Sequence, residues 1–473
     1  MLFNSIIFLL FFVVVTGLYY LLPPKFRWVM LLSASCFFYM FFYPPYILIL
    51  AFLIVTDYGA AIIIDGAKTQ KRRKAWLVIS LVANVGMLAF FKYYNFLDGN
   101  VTEFCKLLHW NNPMPALNIL LPIGLSFHTF QSMSYTIEVY KKNAKPERHF
   151  GIYALYVMFY PQLVAGPIER ATTLLPQLKH NDNKFEMNNL MQGLLQMTYG
   201  FFKKVVVADS LALYVDSIYD NHLLNHGFTC LFATWMFAFQ IYCDFSGYSD
   251  IAIGAGRVMG YKMTTNFLTP YFSKSVTEFW RRWHISLSGW LRDYLYIPLG
   301  GSRHGKFNTY KNNMLTMLLG GLWHGASWNF VIWGGLNGSY LAIEKALKIS
   351  VSKTSLSFLK KIFFTFLTFN LICITWIFFR AKGFGSAWHI FSSIFNPHAW
   401  LNLRIQDTSI FLNMMLMLGV LLIFEFFVFR KKSFVAFYLR TKNAVLFSFF
   451  LFFIVLILLF GVSDGDQFIY FQF

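Results

Sequence analysis

The sequence predicts an all-α protein that crosses a membrane many times, and three observations lead to this fold class. Of its 473 residues, 57% are apolar and only 13% are Asp, Glu, Lys or Arg, whereas ordinary soluble domains carry about 25% charged residues. Aromatic residues make up 20% of the chain. Apolar stretches of roughly 17–25 residues, long enough to cross the hydrocarbon core as helices, recur along the whole length. This composition excludes a compact soluble protein as well as disordered, collagen-like and disulfide-scaffold chains.

The apolar stretches predict roughly eleven transmembrane helices. They are Leu2–Leu22, Trp28–Phe42, Tyr46–Ile64, Trp76–Leu97, Leu117–Tyr140, Leu190–Tyr219, Phe228–Ile253, Met314–Ala346, Phe358–Phe379, Ile410–Phe429 and Val445–Val462. Trp28–Phe42 is short and is expected to cross together with its flanking residues. A further short stretch, Ile152–Val164, is expected to be re-entrant or buried within protein, where irregular backbone is tolerated. Leu2–Leu22 has no basic residue before it and runs into Pro23 and Pro24, so we interpret it as a helix rather than as a signal peptide.

Basic loops predict the orientation of the early helices. The tract Lys68–Lys74 holds five basic residues and no acid, which is typical of a cytoplasmic loop. Two spans later Lys141–Arg148 is again basic and falls on the same side, which leaves the N-terminus outside. The net charge of +19 lies largely in such short tracts, as expected beside an anionic membrane rather than for nucleic-acid binding. No linker interrupts the pattern, so residues 1–473 are expected to form one integral-membrane domain.

Polar and ionisable residues crowd into the centre of the chain, within segments that otherwise look membrane-buried. These segments are Gln240–Asp250, Glu278–Asp293 and Gly320–Asn329. An ionisable group in a bilayer is costly unless it faces a cavity or a partner, so these segments predict the functional site. Glu278–Asp293 mixes Trp with Arg and suits an interfacial helix. The Trp residues beside Arg281 and Arg282 favour membrane-interface anchors, with a role in the site as the alternative.

His324 is the strongest single candidate among these residues. Gly320–Gly321 and Gly325–Ala326 flank it with small residues that allow close backbone approach and leave space beside the ring. The alternative is a buried core histidine with satisfied hydrogen bonds. Asp244 and Asp250 fit support of a site equally well as pairing within the helix bundle.

Other patterns are weaker. Gly254–Gly260 nearly matches a dinucleotide-binding fingerprint but has one residue too many and lacks a βαβ context. His222 and His226 have helical metal-ligand spacing, yet they fall in a predicted loop without a convincing third ligand, so no metal site is predicted. The five cysteines indicate neither a disulfide framework nor a zinc site. The sequence carries no recognisable motif for an activated nucleophile, and no bound cofactor is predicted.

Several long motifs carry a resemblance to a known family. They are Leu121–Gln131, Pro161–Arg170, the three central segments given above and the final residues Phe468–Phe473. On these motifs the sequence resembles the membrane-bound O-acyltransferase family, specifically its bacterial alginate O-acetyltransferase branch. The resemblance implies helices around a central tunnel, with the catalytic centre within about residues 121–344, in a multi-pass protein of the bacterial cytoplasmic membrane. It also implies transfer of an acyl group, expected to be acetyl, from a cytoplasmic donor such as acetyl-CoA or another acyl thioester.

The resemblance further implies two catalytic residues, His324 and His284. A thioester is already activated, so the enzyme must mainly deprotonate an acceptor hydroxyl and stabilise an oxyanion. A neutral imidazole with a pKa near 6.5 suits the first task. We therefore expect His324 to be the general base or a transient acyl carrier, with His284 orienting or assisting it. Possible supporting residues are Asp244, Asp250, Ser246, Trp323 and Asn329.

The polysaccharide-modifying branch implies a division of labour. The membrane protein would carry acetyl across the bilayer, and a separate extracytoplasmic SGNH-type partner would place it on the hydroxyls of an alginate-like exopolysaccharide, peptidoglycan or another glycan. One alternative within the family is D-alanyl transfer to teichoic acid from a carrier protein. An alternative of another class is a transporter or flippase. Transporters often show paired broken helices in matching halves, whereas the polar segments here occur once, centrally, which favours an enzyme.

Overall fold

The computed structural model describes residues 1–115, 117, 121–164, 166–348, 357–396, 403–405, 407–431, 434–462 and 468–469. Across these residues the regular secondary structure is helical, without a strand, as the composition predicts. The α-helices are α1 (Ile6–Leu21), α2 (Pro24–Met40), α3 (Tyr46–Gly66), α4 (Gln70–Leu107), α5 (Leu125–Tyr140), α6 (Phe150–Met158), α7 (Ala171–Lys179), α8 (Met187–Phe201), α9 (Asp209–Tyr219), α10 (Phe228–Val258), α11 (Val276–Trp280), α12 (Ile285–Leu291), α13 (Gly305–His324), α14 (Trp328–Ala346), α15 (Phe358–Arg380), α16 (Phe384–Ile394), α17 (Thr408–Lys431), α18 (Phe434–Leu439) and α19 (Asn443–Phe460).

Six of the helices in the described part of the chain are long and apolar enough to cross a membrane. They are α3, α4, α10, α15, α17 over Thr408–Arg430, and α19. Helix α1 is apolar but has only 16 residues. Multi-pass membrane character therefore agrees with the sequence, whereas the predicted total of eleven spans is not confirmed. The stretch Leu190–Tyr219 shows why, because the structure divides it into α8, a π-helix over Phe202–Ala208, and α9.

The chain forms two compact units, the first made of residues 1–193 and 255–264. In this unit α3, α4 and α5 pack on one another and α2 packs on α6. Helix α6 is buried over Gly151–Met158. Its nine residues extend about 14 Å, too short for a hydrocarbon core of about 30 Å. The prediction of a short buried or re-entrant segment agrees with this helix, whereas the prediction of a single domain for the whole chain stays a prediction.

The second unit, residues 194–254 and 265–473, contains a close antiparallel pair, α13 and α14. Glycines allow this approach: a Cβ on Gly321 would lie 2.2 Å from the carbonyl oxygen of Phe330, and one on Gly334 would lie 2.4 Å from that of Met317. Helix α13 ends where Gly325 adopts an extended conformation. The contact therefore fixes the end of α13, and His324 is its last residue.

Candidate active site

His324 lines a cavity of about 850 Å³. The residue is buried, with only 5% of its surface exposed. Three aromatic rings surround the imidazole edge-on, with centroids 4.9 Å away for Trp323, 5.0 Å for Trp333 and 5.5 Å for Phe379. Such edge-on aromatic contacts restrict the orientation of the ring. The predicted catalytic histidine is thus both held in place and accessible from a cavity.

The same cavity reaches the protein surface at a basic rim. Its lining includes four exposed cations, Arg281, Arg292, Lys345 and Lys348. Ser288, Asn313 and Thr316 add hydroxyl and amide groups to the wall, and Trp280 and Trp333 add apolar surface. An anionic molecule with an apolar segment would therefore find charge at the rim and an aromatic wall near the histidine.

His284 is completely buried at the start of α12, in a left-handed conformation with φ of 43°. Its Nδ1 lies 3.1 Å from Oδ1 of Asn266, and the edge-on ring of Phe245 is 4.6 Å away between centroids. Burial lowers the pKa of His284 to about 3, so the imidazole is neutral at physiological pH. His284 is not among the residues that line the cavity.

Trp323 packs against both histidines. Its ring centroid is 6.2 Å from that of His284 and 4.9 Å from that of His324. Consecutive residues of a helix point about 100° apart, so the side chains of Trp323 and His324, the last two residues of α13, point in different directions. Asn329 has another place: its Nδ2 donates to the carbonyl oxygen of Ala381 at 2.9 Å, which ties the start of α14 to the end of α15.

The structure places Asp244, Asp250 and Ser246 in a buried ion cluster rather than on the cavity wall. Nζ of Lys203 donates to Ser246 Oγ at 2.9 Å and pairs with Asp250. Nζ of Lys204 lies 2.7 Å from Oδ1 of Asp244. Both lysines belong to the π-helix, which Gly200 and Gly247 bring close to α10: a Cβ on Gly200 would lie 2.7 Å from the carbonyl oxygen of Gly247. That Asp244, Asp250 and Ser246 support the catalytic centre stays a prediction.

The two adjacent arginines of the segment Glu278–Asp293 also have different surroundings. Arg281 lines the cavity, whereas Arg282 forms an ion pair of 2.8 Å with Glu278, four residues earlier. The structure also brings a third histidine, His389, near His222 and His226, with centroids 5.6 and 5.3 Å away. Among the described residues, however, no group of three His, Cys, Asp or Glu side chains is arranged to hold a metal ion.

Sequence reasoning missed Asn266, Lys203 and Lys204. The lysines carried a usable signal, because two adjacent cations inside the apolar stretch Leu190–Tyr219 need buried partners. Asn266 carried no such signal, since its partners lie seventeen residues earlier and eighteen and twenty residues later. The ending Phe468–Phe473 is described only at its first two residues, where the backbone nitrogen of Ile469 donates to Asp244 Oδ2 at 2.6 Å. The other four residues lie outside the described part, as does residue 165 within the motif Pro161–Arg170.

Comparisons with known proteins agree on one family. Residues 82–388 match the family model described as MBOAT, membrane-bound O-acyltransferase family. The chain is 42% identical to the probable alginate O-acetylase AlgI of Azotobacter vinelandii, over 72% of this chain and 67% of that protein. It is 42% identical to the corresponding protein of Pseudomonas aeruginosa, over 72% and 64%. A peptidoglycan O-acetyltransferase of Helicobacter pylori is 38% identical over 71% and 67%. The chain thus spans about two thirds of the length of these relatives.

Proposed function

The chain belongs to the membrane-bound O-acyltransferase family, and from this premise we propose that it passes acetyl from a cytoplasmic thioester donor across the membrane for O-acetylation of an extracytoplasmic polysaccharide. The family and the relatives indicate O-acyl transfer. The identity of the donor, the identity of the acceptor and the passage of acetyl across the membrane are what we propose. The observation that carries the proposal is a cavity whose lining includes both a set of exposed cations and buried His324.

The rim supports an anionic thioester such as acetyl-CoA as the donor. Its four exposed cations would bind the phosphates, and a cavity of about 850 Å³ is in the size range of small-molecule sites. Lys345 lies in the last turn of α14, Lys348 follows two residues after its end, and Lys360 and Lys361 lie in the first turn of α15. Because basic loops are typical of the cytoplasmic side, this distribution supports entry of the donor from the cytoplasm.

The surroundings of His324 support a role as general base. The neutral imidazole would take the proton of an acceptor hydroxyl while that oxygen attacks the thioester carbonyl carbon. The C–S bond then breaks, and the thiol leaves with the proton. The polar groups of Ser288, Asn313 and Thr316 are candidates to stabilise the intermediate oxyanion. Aromatic walls limit water and therefore hydrolysis of the donor. A transient acyl group on His324 is the other form of this proposal, with His284 assisting.

The names of the relatives support a polymeric acceptor outside the membrane. Two are named for alginate and one for peptidoglycan acetylation, so an alginate-like exopolysaccharide or a cell-wall glycan is proposed here. A separate extracytoplasmic SGNH-type protein would complete the transfer to sugar hydroxyls. A teichoic acid D-alanyltransferase of Streptococcus thermophilus is also related, at 28% identity over 57% of this chain. A D-alanyl carrier-protein donor is therefore the second donor to test.

Proteoliposomes containing the purified protein test the proposal. Radiolabelled acetyl-CoA is added on the side of the basic rim, and we expect label to reach a polysaccharide acceptor when an SGNH-type partner is present. His324→Ala should lower the rate at least about 100-fold, the usual scale for loss of a general base. His389→Ala, a histidine that does not line the cavity, is the matched control and should remain active. Near-normal turnover by His324→Ala, or an unconsumed thioester as for a transporter, would overturn the proposal.

A further inference from the structure

Asn266 makes a set of hydrogen bonds that fixes its amide from both ends. The residue is fully buried. Oδ1 accepts from the backbone nitrogen of Ser286 at 3.3 Å and from Ser286 Oγ at 2.9 Å, and Nδ2 donates to Ser249 Oγ at 3.1 Å. A backbone N–H can only donate, so the side-chain atom that faces Ser286 must be the oxygen. The orientation of the amide is therefore determined.

This orientation determines where His284 carries its proton. Nδ1 of His284 lies 3.1 Å from the same Oδ1, and an amide oxygen can only accept. A neutral imidazole has one protonated nitrogen, so the proton is on Nδ1 and Nε2 keeps its lone pair. We propose that Asn266 is a positioning residue that fixes this tautomer, so that His284 presents Nε2 as an acceptor during acyl transfer. The inference rests on the proposed function, in which His284 assists the reaction.

The backbone and the neighbouring rings hold the histidine in this arrangement. The nitrogen of Ile285 donates to the carbonyl oxygen of Asn266 at 2.8 Å, which secures the left-handed His284 from the next residue. Phe245 packs edge-on against the imidazole and Phe267 stacks at 6.2 Å. The left-handed conformation is unfavourable for a non-glycine residue, and these contacts offset that strain.

Two substitutions of similar size separate positioning from simple structural support. Asn266→Asp keeps an oxygen that accepts from Nδ1, whereas Asn266→Leu removes it. We expect Asn266→Leu to lower kcat by about 10- to 100-fold with little change in KM, since supporting hydrogen bonds to a functional histidine have effects of this size. Asn266→Asp should retain kcat within about tenfold. If kcat instead follows the thermal stability of the two variants, the positioning role is refuted.

A double-mutant cycle provides the second test. If Asn266 acts through His284, then Asn266→Leu should cost less than about twofold in a His284→Ala background. Asn312→Leu is the matched control, because Asn312 is also buried and donates to the carbonyl oxygens of Leu299 and Gly301 at 3.1 and 3.0 Å. Its cost should be the same in both backgrounds. A full additional loss from Asn266→Leu would overturn the inference.

The outcomes distinguish this inference from the proposed function. Retained transfer by His324→Ala would refute the proposed function, whatever happens at position 266. Loss of transfer in His324→Ala and His284→Ala, together with a normal kcat in Asn266→Leu, would refute only the positioning role. Ser286→Ala is a milder variant that leaves Oδ1 facing Nδ1, and it should keep near-normal kcat; a loss as large as that of Asn266→Leu would also contradict the inference.

Discussion

Lys204→Met is expected to destabilise the protein strongly, because Lys204 is one of the two cations of the buried ion cluster and pairs with two carboxylates. Its Nζ lies 2.8 Å from Asp209 Oδ1 and 2.7 Å from Asp244 Oδ1, and the three side chains are only 1–4% exposed. Methionine has a similar length and an apolar stem, but it would leave two buried carboxylates beside a neutral side chain. Loss of one partner from a buried pair costs about 3–5 kcal/mol, a large fraction of the about 5–15 kcal/mol that stabilises a typical folded protein.

The unfolding midpoint in detergent, followed by intrinsic fluorescence during heating, measures this effect. Lys106→Met is the matched control, because Lys106 forms an ion pair of 2.7 Å with Glu103 in which the side chains are 67% and 72% exposed. Exposed pairs contribute little, so this variant should unfold with the wild type. Replacing Asp209 and Asp244 by Asn in the Lys204→Met background should restore most of the lost stability. A midpoint for Lys204→Met no lower than that of Lys106→Met would refute the reasoning.

Three further predictions concern pH, helix packing and donor binding. Burial raises the pKa of Glu169 from 4.5 to about 7, so its contribution to stability is present at low pH and is lost as the pH rises towards about 7. Glu169→Gln should flatten the pH dependence of the unfolding midpoint over this range, and an unchanged slope would contradict the assignment. Gly321→Ala should lower kcat and stability, because its Cβ would lie 2.2 Å from the carbonyl oxygen of Phe330, whereas Gly335→Ala meets nothing closer than 3.8 Å and should behave as wild type in both measurements. Lys345→Gln should raise KM for the thioester donor about two- to tenfold, weaken its salt dependence and leave kcat unchanged; an unchanged KM would exclude Lys345 from the donor site.

The sequence signal at His324 is local, and its catalytic role stays a prediction. Small residues on both sides of the histidine indicate space around it, and the structure shows a cavity there. The placement of Asp244 and Asp250 was open for the opposite reason. Their partners, Lys203 and Lys204, lie 40 or more residues earlier, and hydropathy does not show which buried ions meet. The number of spans is similarly hard to predict, since an apolar stretch such as Leu190–Tyr219 satisfies the length criterion even though its backbone changes to a π-helix inside it.

The position of Trp323 has a consequence for the efficiency of the reaction. One indole ring contacts both imidazoles, with centroids 6.2 Å from His284 and 4.9 Å from His324. It therefore lies between His324, which lines the cavity, and His284, which is fully buried and does not. A smaller side chain at this position would remove the ring that separates the two imidazoles and let water from the cavity approach His284. In the proposed acyl transfer, that water would hydrolyse the donor before the acyl group reached the acceptor, so the bulk of one side chain would limit this loss.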